Sequence, residues 1–393
     1  MPIDKIFSWL GVQKEGQRLL KATYFSFFTS GLMSIMLGTL MPYIISENGF
    51  SYAQSGLILS AHQIGNLCAV LAAGFLPYII GRKRSALILG AGTTIGLLIA
   101  SFSKGLLLFW LAFALMGIGR GTMSNICNAS ASGYAKNKAA AINLLHAVFA
   151  TGALLSPFVV FIFTRGEPPF WKGATLTVAL LTASAWFFLT RGGISTAKLE
   201  REKGHSLDFL KNMHFWLSTL ILFFYLCAEA SIIGWFVVYF REQGILPPLV
   251  AEFTPTILWF VIMLGRLLCA FLSQRYDKAK LLLLLSIGVT FCFAGMLLSK
   301  TATLSVIFLL GIGFFMGGVY PTTFSTVPGT SSTFTTGFVI ALASFGAIIM
   351  PGLVGAVADK HGLYGGVATI LVALSVMLVL SLIKVLYKES KTQ

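Results

Sequence analysis

The sequence predicts an all-α membrane protein of twelve transmembrane helices in two similar six-helix bundles. Three observations predict this fold class: the composition, a series of long apolar runs, and a duplicated segment. Hydrophobic residues make up 56% of the 393 residues and charged residues only 10%, with a mean hydropathy of +0.86. A soluble globular domain carries about 25% charged residues. The chain therefore lacks the polar surface that a water-soluble globule needs.

Apolar runs follow one another along the whole chain and define spans 1 to 12. A helix of about 20 residues crosses a hydrocarbon core about 30 Å thick, and helices satisfy their own backbone hydrogen bonds there. Spans 1 to 6 are predicted at 20–46, 53–80, 85–103, 105–134, 139–164 and 172–190. Spans 7 to 12 are predicted at 214–240, 250–273, 279–299, 302–325, 333–357 and 365–387.

A polar stretch between spans 6 and 7 divides the chain into halves. It predicts an N-terminal bundle with a cytoplasmic lead-in at 1–190, a cytoplasmic linker at 191–213, and a C-terminal bundle with a cytoplasmic tail at 214–393. Most of the 28 Lys and Arg residues fall in loops on the side of the termini, which the positive-inside rule places in the cytoplasm. We therefore expect a multi-pass protein of a bacterial inner (plasma) membrane. Topology and anionic lipid account for the net charge of +15, so nucleic-acid binding is not expected.

The sequence offers no chemistry for catalysis, a cofactor or a metal site. All five cysteines lie within spans and have neither paired nor metal-ligand spacing. An intramembrane enzyme would need a nucleophile with its base, a pair of carboxylates or a metal cluster, and the chain has neither a phosphate-loop lysine motif nor a His-Glu-x-x-His motif. We therefore do not expect an enzyme, a disulfide, a bound metal or a cofactor.

Two segments correspond between the halves. Residues 74–83 read GFLPYIIGRK at the end of span 2, and residues 270–279 read AFLSQRYDKA at the end of span 8. They match in position and in basic charge. Solute carriers are commonly built from repeated halves with the binding site near the middle of the membrane, so the duplication indicates a solute carrier.

The loop after span 2 resembles the signature of the major facilitator superfamily, in which a glycine, three residues, an aspartate and a basic residue precede glycine, arginine and a basic residue. The residues that fit it are Gly74, Gly81, Arg82 and Lys83. Tyr78 and Ile79 stand where the aspartate and the first basic residue are usual. The resemblance implies the major facilitator fold, with spans 1, 4, 7 and 10 around a central cavity. It also implies a gating role for this loop and for Arg275 and Asp277 in the matching loop.

Shorter segments resemble the sugar-transporting branch of that superfamily, which includes the proton-coupled fucose symporters. They are 225–235 in span 7, 318–322 in span 10, 351–359 in span 11 and 143–157 in span 5. Two acidic residues that serve substrate and proton in the fucose symporters are replaced here by Gly38 and Ser124. The resemblance therefore implies a carrier of a sugar or sugar derivative. The two replacements weigh against fucose itself as the solute. They are compatible with an acidic or differently decorated sugar.

Two ionisable residues lie deep in the predicted spans. Of the thirteen acidic residues only Glu229 lies mid-span, and Arg120 lies near the middle of span 4. A charge at the membrane centre costs about 2.5–3.5 kcal/mol on insertion scales and persists where it has a use or a partner. We predict that Glu229 exchanges a proton, while Arg120 pairs with it or holds a polar group of the solute. Two alternatives stay open: Arg120 and Glu229 form a permanent ion pair between helices, or sodium takes the place of the proton.

Polar and aromatic residues at helical spacing complete the predicted substrate site. On span 4, Arg120, Ser124 and Asn128 repeat every fourth residue. The other predicted binding residues are His62, Asn66, Asn125, Asn143, His146, Tyr225, Trp235, Trp259 and Tyr320. Membrane helices also use such side chains for packing, so that alternative stays open for each. Arg266 lies nearer the cytoplasmic end of span 8, and we assign it to gating, with a structural role as the alternative.

These features predict a secondary transporter that moves a small polar solute by alternating access. We expect it to couple transport to protons, with sodium as the open alternative, and to work as a monomer in the bilayer. The alternatives are an organic-anion carrier and a multidrug exporter of the same superfamily. The polar residues of span 4 and the buried arginine argue against cationic drugs.

Overall fold

The structure, a computed structural model, describes residues 10–12, 14–73, 75–194, 208–328 and 333–390. It is built from α-helices and confirms the all-α prediction. The first helices are α1 (Lys14–Asn48), α2 (Tyr52–Ala73), α3 (Leu76–Ile80), α4 (Arg82–Gly90), α5 (Gly92–Phe102), α6 (Leu106–Tyr134), α7 (Lys138–Thr164) and α8 (Trp171–Arg191). After a 3-10 turn at Asp208–Lys211 come α9 (Met213–Gln243), α10 (Pro248–Glu252), α11 (Thr254–Leu272), α12 (Lys278–Leu298), α13 (Ala302–Phe324) and α14 (Thr333–Ser390).

The helix count agrees with twelve membrane spans. In the part of the chain that the structure describes, eleven helices are long and apolar enough to cross a membrane. The last of them, Thr335–Tyr387, has 53 residues, or about 80 Å at 1.5 Å per residue, more than twice the thickness of a hydrocarbon core. Gly362 interrupts it with a φ of 75°, a conformation that glycine adopts without steric cost. This helix therefore supplies two spans.

Three predicted spans differ in detail from the helices that form. Span 2, expected to reach residue 80, ends at Ala73, and α3 follows with Pro77 in its first turn. Span 8 is preceded by the separate α10, and α11 begins at Thr254 with Pro255 in its first turn. Proline fits the first turn of a helix, where its missing N–H is not needed. Span 3 is divided into α4 and α5 at Ala91, between two glycines.

The chain divides into two compact units by its internal contacts. Unit 1 comprises residues 1–43 and 61–203, and unit 2 comprises residues 44–60 and 204–393. The C-terminal end of α1 and the N-terminal end of α2 therefore belong to unit 2. The linker predicted at 191–213 lies largely outside the described residues, and the boundaries of the predicted bundles stay predictions.

In unit 1, helices α2 and α6 approach each other until their backbones touch. A Cβ atom on Gly117 would lie 1.9 Å from the carbonyl oxygen of His62, and one on Gly65 would lie 1.9 Å from the oxygen of Ala114. Only glycine allows such an approach. The contact holds the polar residues of α2 against the turn of α6 that follows Gly117.

Unit 2 repeats this packing between α11 and α13. A Cβ atom on Gly265 would lie 2.1 Å from the oxygen of Phe314, and one on Gly317 would lie 2.4 Å from the oxygen of Ile262. Gly265 thus corresponds to Gly65 and Gly317 to Gly117. The repeated halves expected from the sequence show the same interhelical contact.

A substitution of Gly117 by alanine is expected to destabilise the protein, whereas the same change at Gly133 of the same helix is not. The added methyl group at position 117 overlaps a backbone oxygen, and overpacking costs about 1–3 kcal/mol. A Cβ atom on Gly133 would have no neighbouring atom within 4 Å, so alanine there gains up to about 1 kcal/mol of helix propensity. Thermal unfolding of the detergent-purified variants measures both effects. Equal melting temperatures for the two variants would contradict the close contact.

Candidate functional site

The polar site of unit 1 centres on Arg120, in the middle of α6. Its Nε donates a hydrogen bond to Oγ of Ser34 in α1 over 2.7 Å. His62 in α2 is 5% exposed and lies within range of the charge of Arg120. Its Nε2 atom is buried without a hydrogen-bond partner among the described residues. Three helices thus bring a cation, a hydroxyl and an imidazole together.

Asn66 belongs to the same site through the close contact of α2 and α6. A Cβ atom on Gly121 of α6 would lie 2.9 Å from Oδ1 of Asn66. The amide of Asn66 therefore lies beside α6, one helical turn after His62 on α2. Asn128, by contrast, donates from Nδ2 to the carbonyl oxygen of Ser124 in its own helix over 2.8 Å. The structure therefore groups Asn66 with Arg120, and it favours the packing alternative for Asn128.

Three predicted binding residues lie on the exposed surface of unit 1. They are Asn125 on α6 and Asn143 and His146 on α7. The ring of Phe27 contacts His146 edge-on, with 5.5 Å between ring centroids. The role of these three residues in binding stays a prediction.

Ser34 was not among the residues that sequence reasoning selected. A serine inside an apolar helix is common and usually bonds a backbone carbonyl of its own helix, and Ser34 also donates in this way to Ser30 over 2.7 Å. Its oxygen in turn accepts from Arg120. The sequence feature that could have revealed it is its position one turn before Gly38, where the fucose symporters that the sequence resembles carry an acidic residue.

The polar site of unit 2 joins α9, α11 and α13. The hydroxyl of Tyr225 donates to Oε1 of Glu229 over 2.7 Å, and the same tyrosine lies within range of the charge of Arg266. The ring of Tyr320 lies 5.9 Å from the ring of Tyr225. Tyr225 is buried, whereas Glu229 and Arg266 are partly exposed. The guanidinium of Arg266 also lies 5.8 Å from the ring centroid of Trp259, within cation–π range.

This arrangement brings four predicted site residues of unit 2 together with a residue predicted for gating. Tyr225 contacts Glu229 and Tyr320, and Arg266 lies beside Trp259 with its charge within range of both tyrosines. The gating role of Arg266 stays a prediction. Arg120 and Glu229 belong to different units, and their pairing stays a prediction as well.

Trp235 lies apart from this cluster, although it was predicted to contact the solute. It is 0% exposed, and its Nε1 donates to the carbonyl oxygen of Pro351 over 3.2 Å. Its ring lies 6.2 Å from that of Tyr52. A fully enclosed ring with a satisfied N–H has no face left for a ligand, so the structure favours the packing alternative for Trp235.

The residues predicted for gating lie at helix ends. Gly81 separates α3 from α4 with a φ of 86°, which explains the glycine, and Arg82 and Lys83 begin α4. Asp277 accepts hydrogen bonds from the N–H groups of Ala279 and Lys280 and so caps α12. The guanidinium of Arg275 lies 4.3 Å from the ring centroid of Phe271. Gly74 lies outside the described residues, and the gating role of the whole set stays a prediction.

Two further polar clusters in unit 2 were not predicted. Lys384 of α14 is 3% exposed and donates to the hydroxyls of Ser218 and Thr326. The sequence feature that could have revealed this cluster is a lysine inside the last apolar run. Asp359 accepts from the N–H groups of Tyr52 and Ala53 over 2.8 and 3.1 Å and so caps α2.

In the described part of the chain, no group of His, Cys, Asp or Glu side chains could hold a metal ion.

Membrane-crossing helices in two repeated halves, each with a polar cluster at mid-span, define a membrane transport protein. A family model described as Major Facilitator Superfamily matches residues 23–333. The chain belongs to the major facilitator superfamily, and the family that the sequence resembled is confirmed.

Known proteins are similar to this chain over most of its length. It is 22% identical over 379 residues to Bypass of stop codon protein 6 of Saccharomyces cerevisiae, in an alignment that covers 86% of this chain and 76% of that protein. Among solved structures it is similar to the nucleoside transporter NupG, with a TM-score of 0.72, 15% identity and coverage of 94% of this chain and 98% of that one.

Two other solved structures share the fold. A D-xylose-proton symporter has a TM-score of 0.72 and 12% identity, with 93% of this chain and 96% of that chain covered. A bacterial homolog of the human lysosomal transporter Spinster has a TM-score of 0.74 and 14% identity, with 94% and 96% covered. At these identities the likeness shows the fold alone, and the sugar-transporting branch stays a prediction.

Proposed function

We propose that this chain is a proton-coupled transporter of a small polar solute, a sugar or an acidic sugar derivative, across a bacterial inner membrane. Transport proceeds by alternating access of the two units, with both termini in the cytoplasm. The observation that carries the proposal is the cluster of Arg120, Ser34, His62 and Asn66 at mid-span in unit 1. Such a cluster offers hydrogen-bond donors and acceptors to a polar solute.

The charge of Arg120 supports an acceptor-rich solute. A guanidinium carries five N–H donors in a planar fork, and the bond to Ser34 uses the Nε donor and orients the group. A carboxylate or a pair of hydroxyl oxygens matches the geometry of such a fork. An organic anion other than a sugar acid would use the same contact, and it is the second candidate.

Glu229 supports coupling to protons. It is a carboxylate at mid-span that accepts a hydrogen bond from Tyr225, and acidic residues in this position commonly form proton relays in transporters. The D-xylose-proton symporter and the nucleoside transporter that share the fold are consistent with a polar solute and with proton coupling.

Transport into proteoliposomes tests the proposal directly. Purified protein is reconstituted, and uptake of radiolabelled neutral sugars, sugar acids, amino sugars and lipophilic drugs is measured with an imposed proton gradient, with a sodium gradient and with neither. Empty liposomes are the control. Concentrative uptake of one sugar class with the proton gradient supports the proposal. Uptake driven by sodium alone overturns the proton coupling, and movement of lipophilic drugs alone identifies an exporter instead.

A further inference from the structure

We propose that Arg266 is a solute-binding residue and that it forms, with Tyr320 and Glu229, a subsite of unit 2 for the hydroxyl groups of a sugar. The proposal deepens the proposed function and rests on it, because it names the part of the solute that unit 2 holds. It gives Arg266 a contact with the solute in place of the gating role predicted from its position in span 8.

The side chain of Arg266 extends away from the nearer end of its helix. Its guanidinium lies 5.8 Å from the ring centroid of Trp259, and Trp259 stands two helical turns, or about 10 Å, earlier in α11. The helix ends at Leu272, less than two turns after Arg266. Long basic side chains near the end of a membrane helix usually turn to the membrane surface. Arg266 turns the other way, so contact with water or headgroups at the nearer end does not explain it.

Arg266 also lies on the protein-facing side of α11. The exposed apolar side chains of this helix include Leu264, Leu267 and Phe271. At about 100° per residue, each of them lies about 100° or more around the helix from Arg266. Helix α13 packs against the other side, where a Cβ atom on Gly317 would lie 2.9 Å from the backbone nitrogen of Arg266. The partial exposure of Arg266 is therefore not exposure to lipid.

The guanidinium of Arg266 lacks the partners that other cations of unit 2 have. Arg241 pairs with Glu252, and Lys384 donates to two hydroxyls. The Nε atom of Arg266 is buried without a hydrogen-bond partner among the described residues, and its guanidinium forms no ion pair with any of them. A charged donor without an acceptor lowers stability, and such a group calls for a functional explanation. Oxygen atoms of a bound solute are acceptors that match it.

Two further polar groups lie near this guanidinium. Tyr320 of α13 is partly exposed, and its ring lies 5.9 Å from the ring of Tyr225, within range of the charges of Arg266 and Glu229. Glu229 is also partly exposed and accepts from Tyr225 through Oε1, which leaves Oε2 for a solute. The subsite therefore combines donors on Arg266, a hydroxyl on Tyr320 and an acceptor on Glu229.

This set of groups fits hydroxyls better than a carboxylate. The oxygen of a solute hydroxyl accepts from a guanidinium while its proton is donated to a carboxylate. A solute carboxylate has no proton for Glu229 and is repelled by its charge. In unit 1, by contrast, Arg120 bonds the neutral Ser34, so a carboxylate meets no such repulsion from that partner. Unit 2 accordingly suits the polyhydroxyl part of a sugar, whether or not the sugar is an acid.

The test measures solute affinity and thermal unfolding of detergent-purified Arg266→Gln, Arg266→Lys and Tyr320→Phe. The probes are radiolabelled neutral hexoses and the hexuronic acids of the same stereochemistry. Each pair shares its ring hydroxyls and differs in the carboxylate. Arg241→Gln is the control for an arginine that has its partner. Tyr239→Phe is the control for Tyr320, because it removes a buried tyrosine hydroxyl without a described partner from α9.

Arg266→Gln is expected to weaken binding of a hexose and of its acid by similar factors of about 10- to 150-fold, the effect of a hydrogen bond to a charged group. Tyr320→Phe should weaken both about 2- to 10-fold, the effect of a neutral hydrogen bond. Arg266→Lys should retain part of the affinity, because lysine keeps the charge and loses the planar fork. Tyr239→Phe and Arg241→Gln should bind both sugars as the wild type does.

Thermal unfolding without solute separates binding from a structural role. Arg266→Gln should melt no lower than the wild type, because it removes a charged donor that has no acceptor. Arg241→Gln should melt lower, because it leaves Glu252, which is 5% exposed, without its partner. A melting temperature of Arg266→Gln as low as that of Arg241→Gln would assign Arg266 to structure and overturn the proposal.

The affinities give the other contrary results. Unchanged affinity of Arg266→Gln for both members of a pair would return Arg266 to gating, and loss of affinity for the acid alone would identify a carboxylate clamp. Either result overturns the hydroxyl subsite and leaves the proposed function standing. Absence of saturable binding of every sugar to the wild-type protein would instead overturn the proposed function, and the subsite with it.

Discussion

Glu229→Gln is expected to abolish concentrative transport while solute exchange continues. Glutamine keeps the shape and the acceptor for Tyr225 but cannot take up or release a proton. One charge moving through about 100 mV is worth about 2.3 kcal/mol, which corresponds to about fiftyfold accumulation at 1.36 kcal/mol per tenfold. We therefore expect the accumulation ratio to fall from about that value to one. Uptake and counterflow in the same vesicles measure both modes.

The matched control for this change is Asp208→Asn. Asp208 makes an exposed ion pair with Lys211, so the control removes a carboxylate from unit 2 without touching the mid-span cluster. It should accumulate solute as the wild type does. A Glu229→Gln protein that still concentrates solute with an unchanged pH dependence would exclude this carboxylate as the coupling group.

Arg120→Gln is expected to weaken solute binding about 10- to 150-fold, because a hydrogen bond to a charged group contributes about 1.5–3 kcal/mol. The loss should be larger for sugar acids than for neutral sugars, since only the acids form a charge-assisted pair with the guanidinium. Arg120→Lys should recover part of the affinity for acids, because lysine keeps the charge and loses the planar fork. Equilibrium binding of radiolabelled solute and ligand-induced thermal stabilisation both measure the effect.

Arg191→Gln provides the control for Arg120. Arg191 ends α8 in the same unit, and its guanidinium lies 4.3 Å from the ring centroid of Phe187, away from the mid-span cluster. Affinity should be unchanged in this variant. Equal affinities of the wild-type and Arg120→Gln proteins for every solute would exclude Arg120 from binding and reassign it to packing between α1 and α6.

The number and nature of the helices could be predicted from the sequence because both depend on local quantities. A run of apolar residues long enough to cross the bilayer is visible in the chain itself, and every backbone group in lipid has to be satisfied within the helix. The same reasoning found the deep ionisable residues, since a charge inside an apolar run stands out without knowledge of its neighbours. Helix ends at Ala73 and Thr254 were less predictable, because apolar composition continues across the breaks.

The partners of those residues depended on the packing of helices, which periodicity alone does not specify. Helical spacing shows which residues share a face, but it does not show which helix that face meets. Glycine contacts at Gly65 and Gly117 in unit 1, and at Gly265 and Gly317 in unit 2, bring the helix pairs into register. They explain why Asn66 lies beside the turn of α6 that carries Arg120, and the packing of α11 against α13 brings the charge of Arg266 within range of Tyr320.

The sequence by itself thus determined an all-α membrane protein with repeated halves, and it identified Arg120 and Glu229 as its deep charges. Only the tertiary structure decided that Ser34 bonds Arg120, that Tyr225 bonds Glu229, and that Trp235 is enclosed. The physical reason is that hydrophobic burial in lipid is a property of each segment, whereas a hydrogen bond between helices depends on side-chain sizes at contacts far apart in the chain.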